Sequence, residues 1–209
     1  MAGGNLDVMD IYPLNHYYFG SKESLPLKEE ETLDHRIQRF KFNYNTHGIR
    51  TCVQAVLLYA YVALQVDLFK HPHLLLLQVR HSLYKLPGGR LRPGESEIEC
   101  LRRKLSSKLS MSEEYDRWEV GECLGMWWRP DFETLIYLVL PPNIKRPKEC
   151  TKLFLVRLPE SCKFIVPKNL KLIAVPLCQV HENFKTYGPI IAGVPQLLSK
   201  FSYNTPDTD

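Results

Sequence analysis

Residues 85–111 contain side chains whose types and spacing could do chemistry at a phosphate group. The segment reads KLPGGRLRPGESEIECLRRKLSSKLSM, a glycine-rich turn followed by apolar residues at helical spacing. Positions 104, 107 and 108 are spaced i, i+3 and i+4, so their side chains project from one face of that helix. Three carboxylates at this spacing could converge on a magnesium ion. Because this chain has Lys104, Ser107 and Lys108 there, the face is cationic and repels a divalent metal.

The spacing of this segment resembles the Nudix box, G-x5-E-x7-R-E-U-x-E-E-x-G-U, in which U is an aliphatic residue. Four positions match that pattern: Gly89, Glu95, Arg103 and Leu105. The positions that differ are the three metal-binding glutamates and the terminal glycine, which is Ser110 here. The resemblance implies a Nudix scaffold that lacks the metal site of the hydrolases. It therefore implies no catalytic residues, no bound metal and no cofactor.

The elements around the box occur in the order strand, glycine turn and helix. The sequence predicts a buried strand over His73–Val79, a turn over Leu86–Gly89 and a helix over Glu95–Leu109. Two roles are open for the acidic residues near the helix start, which are Glu95, Glu97 and Glu99. They could interact with the positive end of the helix dipole, or the first and last of them could hold a metal in a surviving hydrolase.

Other segments predict a mixed α/β chain. Thr32 and Gly48 are the predicted cap and stop of a first helix. Further strands are predicted over Val53–Val62, Trp118–Met126, Thr134–Leu140, Leu153–Leu158 and Leu172–Val180, and a short final helix over Gly193–Phe201. Pro141–Lys152 is predicted to be a loop. Residues 1–10 are expected to be a flexible N-terminal tail, and residues 11–209 a single domain with N- and C-terminal extensions packed on it.

Composition and charge are those of a soluble domain. The chain has 209 residues, 44% of them hydrophobic, and a formal net charge of +4, so nucleic-acid binding would depend on a local site. Its six cysteines are scattered without a C-x-x-C pair, which favours a reducing compartment and argues against a zinc site. The N-terminus lacks the features of a signal peptide, and the longest apolar run, Ala55–Leu64, is too short to span a bilayer. The sequence thus predicts a cytoplasmic or nuclear protein.

Motifs within the box and along the rest of the chain resemble one family specifically. They are IYPLNHYYFGSKE, KLPGGRLRPGE, WWRPDFE, KLFLV, VPKNLKLIAVPL, YGPII and PQLLSKF, and they cover roughly residues 11 to 203. Together they are similar to the 25 kDa subunits of pre-mRNA cleavage factor Im, the small subunits of that factor. Several of these motifs are not general Nudix features, so the resemblance is to this family and not to the superfamily alone.

The resemblance implies a fold, a function and partners. The implied fold is the Nudix fold, an α/β/α sandwich with a mixed central β-sheet. The implied protein is a homodimer that binds UGUA elements in pre-mRNA, hydrolyses nothing and binds no membrane. It would associate with a larger cleavage factor Im subunit that carries an RNA-recognition motif. With the poly(A) machinery, that complex would act in the nucleus in 3′-end cleavage and polyadenylation.

The resemblance places the family's RNA-contacting positions at seven residues: Arg36, Gln54, Ser82, Leu83, Tyr84, Tyr187 and Gly188. The guanidinium of Arg36, in the motif RIQR, suits a hydrogen bond to a base edge or stacking on a ring. The alternative for Arg36 is a helix-surface salt bridge with Glu31 or Glu29. Gly188 would allow close approach of the backbone to a base, or it would form a simple turn before Pro189.

Two of these positions depart from the family. Leu83 stands where the family has an aromatic residue, and an aliphatic side chain cannot reproduce base stacking. Gln54 stands where the family has a glutamate, so an amide that both donates and accepts replaces a carboxylate that only accepts. Tyr84 remains aromatic, and either base stacking or core packing with an exposed hydroxyl is open to it.

Two other interpretations of the chain remain open. A dimeric scaffold for the larger subunit, with weakened RNA selectivity, would fit the changes at Leu83 and Gln54. A residual nucleotide pyrophosphatase would need metal ligands outside the three lost positions. Lys104 and Lys108 could bind phosphates, or they could form a solvated cationic helix face.

Overall fold

A mixed four-stranded sheet lies at the centre of the chain, in a computed structural model that describes residues 7–26, 31–61, 71–80, 82–109, 118–133 and 135–206. Strands β3 (Arg50–Val56) and β9 (Glu149–Arg157) run parallel in the middle of the sheet. Strand β7 (Gly88–Arg90) pairs antiparallel with β3, and β8 (Glu119–Arg129) pairs antiparallel with β9. Because both faces of a parallel pair are covered, β9 is buried over most of its length.

A second, antiparallel sheet follows directly along the chain. It consists of β4 (Leu58–Tyr61), β5 (His71–Arg80), β6 (Leu83–Lys85) and β11 (Lys171–Pro176), with β5 paired to the other three. Strand β3 continues into β4 after one residue, Leu57, whose carbonyl accepts a hydrogen bond from Leu75 N at 3.0 Å. The chain therefore passes from one sheet to the other without a loop.

Helices cover both faces of the sheets, because alternate side chains of a strand point to opposite sides. Leu75 and Leu77 of β5 pack in one core with α2 (Glu97–Leu109). Leu74 and Leu76 pack in a second core with the C-terminal helices α3 (Leu177–Val180), α4 (Phe184–Ala192) and α5 (Val194–Leu197). The predicted α/β/α sandwich with a mixed sheet is confirmed. Among the described residues, no helix is long and apolar enough to cross a membrane.

Two parallel pairs of strands hold the ends of the chain. Strand β1 (Asp7–Asp10) pairs with β12 (Phe201–Asn204), and β2 (Tyr17–Lys22) pairs with β10 (Cys162–Pro167). Residues 7–10 thus differ from the predicted flexible tail of residues 1–10, because Met9 is buried in the same core as the first residue of β12. The remainder of that predicted tail, residues 1–6, lies outside the described residues.

Helix α1 (Leu33–His47) confirms both ends that the sequence predicted. The Thr32 hydroxyl accepts a hydrogen bond from His35 N at 3.3 Å, and Gly48 has a φ of 76° beyond the last turn. Phe40 is the buried residue of this helix, whereas Leu33 is 61% exposed. Much of α1 therefore remains accessible to a ligand.

One predicted strand does not form, and one predicted loop is shorter than expected. The predicted strand Thr134–Leu140 is wrong, because residues 135–140 make a single bridge, between Tyr137 and Trp128 of β8. Its apolar side chains lack a buried face that would stabilise a strand, and Val139 is 76% exposed. The predicted loop Pro141–Lys152 is too long, because β9 begins at its ninth residue, where the backbone pairs with β3.

The C-terminal predictions also change. The predicted strand Leu172–Val180 ends at Pro176, which has no N–H for a ladder, and the chain turns into α3 there. The predicted helix Gly193–Phe201 shortens to α5, because its last residue begins β12 and pairs with the N-terminal strand.

Candidate nucleic-acid interface

The predicted turn Leu86–Gly89 is shorter than expected, because Gly88 and Gly89 already belong to β7, and this glycine turn brings the backbone of residues 86–90 against β3. Gly88 has a φ of 153°, and a Cβ there would lie 2.1 Å from the carbonyl oxygen of Val53, so a larger residue does not fit. A hydrogen bond of 2.8 Å from Ala55 N to Pro87 O holds the turn beside Gln54. The motif LPGG therefore forms one wall of a cavity that β3 also lines.

Acidic residues at the start of α2 hold the loop and the helix together. The Arg103 guanidinium donates to both oxygens of Glu95, at 2.5 and 2.6 Å, and this pairing lowers the pKa of Glu95 to about 2. Ser96 N donates to the Glu99 carboxylate at 2.9 Å, and Glu99 N donates to Ser96 Oγ at 3.3 Å, which is a capping box. The capping role is thus confirmed for Glu99, and both acids that a surviving hydrolase would need have structural partners.

Lysines occupy the helix face where a Nudix hydrolase carries its metal ligands. The stem of Lys104 lies over Gly89, so close that a Cβ on this glycine would be 2.6 Å from Lys104 Cε. Lys108 Nζ donates to the Gly88 carbonyl at 2.6 Å. Burial, together with the positive charges of Lys104 and Lys85, lowers the pKa of Lys108 to about 8. In the part of the chain that the structure describes, no group of three or more His, Cys, Asp or Glu side chains is arranged to hold a metal ion.

A cavity of about 740 Å³ lies between β3, the glycine turn, α2 and α4. Four of the predicted RNA-contacting residues line it together: Gln54, Tyr84, Tyr187 and Gly188. The rings of Tyr84 and Tyr187 have their centroids 5.1 Å apart, at 49° to each other. Burial, with Tyr84 nearby, raises the pKa of Tyr187, so its hydroxyl stays neutral and can donate and accept. Two aromatic faces beside an amide and exposed backbone groups suit a planar heterocyclic base.

Helix α4 reaches the cavity through a kink that was not predicted from the sequence. Asn183 caps its start by accepting a hydrogen bond from Thr186 N at 3.3 Å. Gly188, with φ 76° and ψ 170°, interrupts the helical backbone, and Pro189 follows it. The Gly-Pro pair made the segment resemble a turn, whereas the cap at Asn183 was the signal that could have indicated a helix.

Arg36 lies on the exposed surface of α1, beside the cavity and not in it. It lines a neighbouring groove of about 190 Å³ together with four other arginines, which are Arg39, Arg50, Arg90 and Arg129. Because Arg90 lines the cavity as well, the groove and the cavity adjoin each other. Five of the seven predicted residues thus line two adjoining depressions, four of them in the cavity and Arg36 in the groove.

Glu149 fixes two of the groove arginines. Glu149 is 8% exposed at the start of β9, and its carboxylate pairs with Arg50 of β3 and, at 3.3 Å, with Arg129 of β8. The Arg50 guanidinium also lies 3.6 Å from the centre of the Phe40 ring, which joins α1 to the sheet. These two arginines therefore have structural partners that hold the groove in shape.

Arg36 and Arg90, unlike Arg50 and Arg129, form no ion pair with a carboxylate of the described residues. Glu31 pairs with Arg39 and not with Arg36, and Glu29, the other alternative partner, lies outside the described residues. Arg36 is exposed along the groove, whereas Arg90 is partly desolvated and interacts electrostatically with Glu149 without an ion pair.

Two predicted residues lie apart from the cavity lining. Ser82 is in the turn between β5 and β6, and Leu83, the first residue of β6, is 42% exposed. Neighbouring side chains of a strand point to opposite faces, so Tyr84 reaches the cavity while Leu83 faces away. The substitution at Leu83 therefore leaves the walls of the cavity unchanged.

Several residues that line the cavity are not predicted as site residues from the sequence, among them Lys85, Arg90 and Ile136. Lys85 and Arg90 flank the glycine turn, and their position beside LPGG was the available signal. Ile136 belongs to the segment that is wrongly predicted as a strand, and the sequence around it contains no motif that indicates a site.

Comparisons with known proteins agree with this architecture. A Nudix family model described as nucleotide hydrolase matches residues 7–201. The chain is 66% identical over 199 residues to pre-mRNA cleavage factor Im 25 kDa subunit 1 of Arabidopsis thaliana, which covers 94% of this chain and 86% of the relative. It is 47% identical over 199 residues to subunit 2 of the same plant, covering 94% of this chain and 96% of the relative.

A more distant relative extends the match beyond plants. Cleavage and polyadenylation specificity factor subunit 5 of Dictyostelium discoideum is 39% identical over 203 residues, which cover 95% of this chain and 96% of that protein. All three matches span nearly the whole of this chain, including the turn, α2 and α4. The chain therefore belongs to the family of pre-mRNA cleavage factor Im 25 kDa subunits, within the Nudix family.

Proposed function

We propose that this chain is an RNA-binding small subunit of cleavage factor Im that recognises UGUA elements in pre-mRNA. The names of its relatives, pre-mRNA cleavage factor Im 25 kDa subunits and cleavage and polyadenylation specificity factor subunit 5, support a role in pre-mRNA cleavage and polyadenylation. Such a role requires action in the nucleus.

The observation that carries the proposal is the shared cavity of Gln54, Tyr84, Tyr187 and Gly188. Stacking of a base on an aromatic side chain contributes about 1 to 3 kcal/mol per base, and the cavity offers two such rings. The Gln54 amide can donate to one base atom and accept from another, which allows it to distinguish bases by their edges. Gly188 has no Cβ, so its backbone can approach a base closely.

The protein acts without hydrolysing nucleotides in this proposal. Metal-assisted hydrolysis needs carboxylates that bind the ion, whereas Lys104 and Lys108 occupy two of the three ligand positions. Glu95 and Glu99, the acids that could replace them, are held by Arg103 and by the Ser96 backbone. The chain would then be a homodimeric subunit that binds a larger subunit with an RNA-recognition motif and works with the poly(A) machinery.

Fluorescence anisotropy with short labelled RNAs tests the proposal. We expect an RNA that contains UGUA to bind at least about fivefold tighter than RNAs with one base of the element replaced, because removal of a hydrogen bond to a base costs about 1 kcal/mol or more. Arg36→Ala should weaken binding of the UGUA RNA. Arg102→Ala is the matched control, since Arg102 is an exposed arginine on α2 that lines neither the cavity nor the groove. Equal binding of every RNA by the wild-type protein would reject UGUA recognition by this subunit.

The positions of Ser82 and Leu83 favour a second candidate, a dimeric scaffold with weakened RNA selectivity. Neither residue lines the cavity, so fewer side chains than the family motif offers would contact RNA. In that case the larger subunit would be retained in a pull-down by both the wild-type protein and Arg36→Ala. The same wild-type protein would then show no preference for UGUA in the anisotropy experiment.

A further inference from the structure

The charged side chains that line the cavity are all cations. They are Lys85, Arg90, Lys104 and Lys108, and among the described residues no carboxylate lines the cavity with them. A concave surface that carries charges of one sign focuses the field and raises the local concentration of the opposite ion. The chain as a whole has a formal net charge of only +4, so this concentration of positive charge is local. The cavity is therefore complementary to an anionic group.

The two lysines on α2 are fixed within the structure and are not fully solvated. The Lys104 stem packs over Gly89, and Lys108 Nζ donates to the Gly88 carbonyl at 2.6 Å. Both side chains are partly buried. A solvated helix face would leave these side chains extended into water, so the packing argues against the solvated alternative, and both lysines line the cavity.

The surroundings of Lys108 also favour an anion beside it. Burial is the larger cause of the lowered pKa of Lys108, and the positive charges of Lys104 and Lys85 lower it further. A phosphate oxygen next to Lys108 Nζ would favour the charged form of this lysine, whereas a metal ion there would disfavour it.

The position of Arg90 indicates which anion fits. Arg90 lines both the cavity, where Tyr84 and Tyr187 offer aromatic faces, and the groove that contains Arg36. An RNA strand that runs from the cavity to the groove carries its backbone past Arg90, and the charged groups of that backbone are phosphodiesters. Arginine and lysine both donate charge-assisted hydrogen bonds to phosphate oxygens.

We propose that Lys104 and Lys108 form a subsite for one phosphodiester group of the bound RNA, on a backbone path that leads past Arg90 to the groove. The site extends the proposed RNA-binding function and rests on it. The bases are then selected by the aromatic and amide groups, whereas the α2 lysines fix the register of the strand through its backbone. The face that holds a divalent cation in Nudix hydrolases binds an anion in this chain.

Replacement of single phosphates in the RNA tests the subsite. Each linkage of a short UGUA RNA is replaced in turn by a neutral methylphosphonate, and binding is measured by anisotropy to the wild-type protein, Lys104→Gln and Lys108→Met. We expect one linkage at which the replacement weakens wild-type binding roughly tenfold, because a hydrogen bond to a charged group is removed. At that linkage the replacement should have a clearly smaller effect on either variant than on the wild type, since one lysine partner of the phosphate is already absent.

Two controls separate the subsite from other effects. Lys145→Gln removes an exposed lysine that lines neither the cavity nor the groove, and the methylphosphonate effect should be the same as in the wild type. Thermal unfolding of each variant shows whether it is folded, and Lys104→Gln tests the subsite even if Lys108→Met is unstable. The slope of log affinity against log salt should also fall by about 0.7 for each phosphate that a variant no longer neutralises.

The outcomes distinguish the subsite from the proposed function. Selective UGUA binding without coupling between either lysine and any linkage would overturn the subsite and leave the proposed function standing. Competition by inorganic diphosphate that depends on the lysines, again without coupling to a linkage, would assign the site to a free anion and would also overturn it. Equal binding of all RNA sequences would reject the proposed function, and the subsite with it.

Discussion

Lys104 and Lys108 give the cavity of this Nudix family member a positive charge. They occupy ligand positions of the metal face, yet the pair that joins loop to helix, Arg103 with Glu95, is retained. Packing of Lys104 over Gly89 uses the aliphatic stem of the side chain, so the charge reaches the cavity without leaving a gap in the core. The local scaffold is therefore preserved while the charge of the cavity is inverted.

The protonation of Lys108 should make stability depend on pH. Its folded-state pKa of about 8 lies below the value of about 10.4 for a solvated lysine. Between those values the unfolded chain binds more protons than the folded chain, so the free energy of unfolding rises with pH. We expect the unfolding free energy of the wild type, minus that of Lys108→Met, to increase from about pH 8 to about pH 10 in urea titrations.

The comparison with Lys108→Met cancels the other groups of the cavity. Those that line it and carry charge or titrate are Lys85, Arg90, Lys104, Tyr84, Tyr187 and Cys52. They are present in both proteins, so their own titration largely subtracts. Lys145→Met, which removes an exposed lysine, should give a difference that stays flat over the same range. A flat difference for Lys108→Met as well would contradict the buried, charge-crowded environment of this lysine.

At the scale of elements, the sequence predicts the structures that local signals determine. It does not predict the strands that depend on pairing with distant segments. Thr32 and Gly48 determine the ends of α1 through bonds within a few residues, and the sequence shows them directly. Strands β1, β10 and β12 depend on partners far along the chain, so their short segments have no distinguishing local pattern. Helix α4 was missed for another reason, because a glycine and a proline interrupt its pattern.

The kink of α4 gives a prediction for Gly188. Its φ of 76° with ψ of 170° is a conformation that is almost restricted to glycine, and a Cβ there would meet no atom within 4 Å. Strain without a clash should therefore destabilise Gly188→Ala by about 2 kcal/mol in urea unfolding. Gly20→Ala is the matched control. Gly20 lies in β2 with ordinary backbone angles, so the expected change is within about 0.5 kcal/mol. Equal stability of the two variants would show that the kink is not strained.

At the scale of the whole molecule, the fold brings together residues that the sequence separates. The cavity takes Gln54 from the central sheet, Tyr84 from the second sheet, the lysines from α2 and Tyr187 from α4. Motifs that resemble those of the family predict RNA contacts at four of its lining residues. Whether the remaining residues line the cavity depends on their place in the fold. Leu83 faces away from the cavity, whereas Arg90 lines both the cavity and the groove. Such facts depend on strand direction and on tertiary contacts, which a single sequence does not contain.

Photo-crosslinking with 5-iodouridine tests most directly whether RNA occupies this cavity. A UGUA RNA that carries the modified base at either uridine is irradiated with the wild-type protein, and crosslinked peptides are identified by mass spectrometry. We expect crosslinks at Tyr84 or Tyr187, and their loss when the guanine of the element is replaced. Tyr18 and Phe42 are 66% and 69% exposed outside the cavity and serve as internal controls. Crosslinks at those exposed residues alone, irrespective of RNA sequence, would contradict RNA recognition in the cavity.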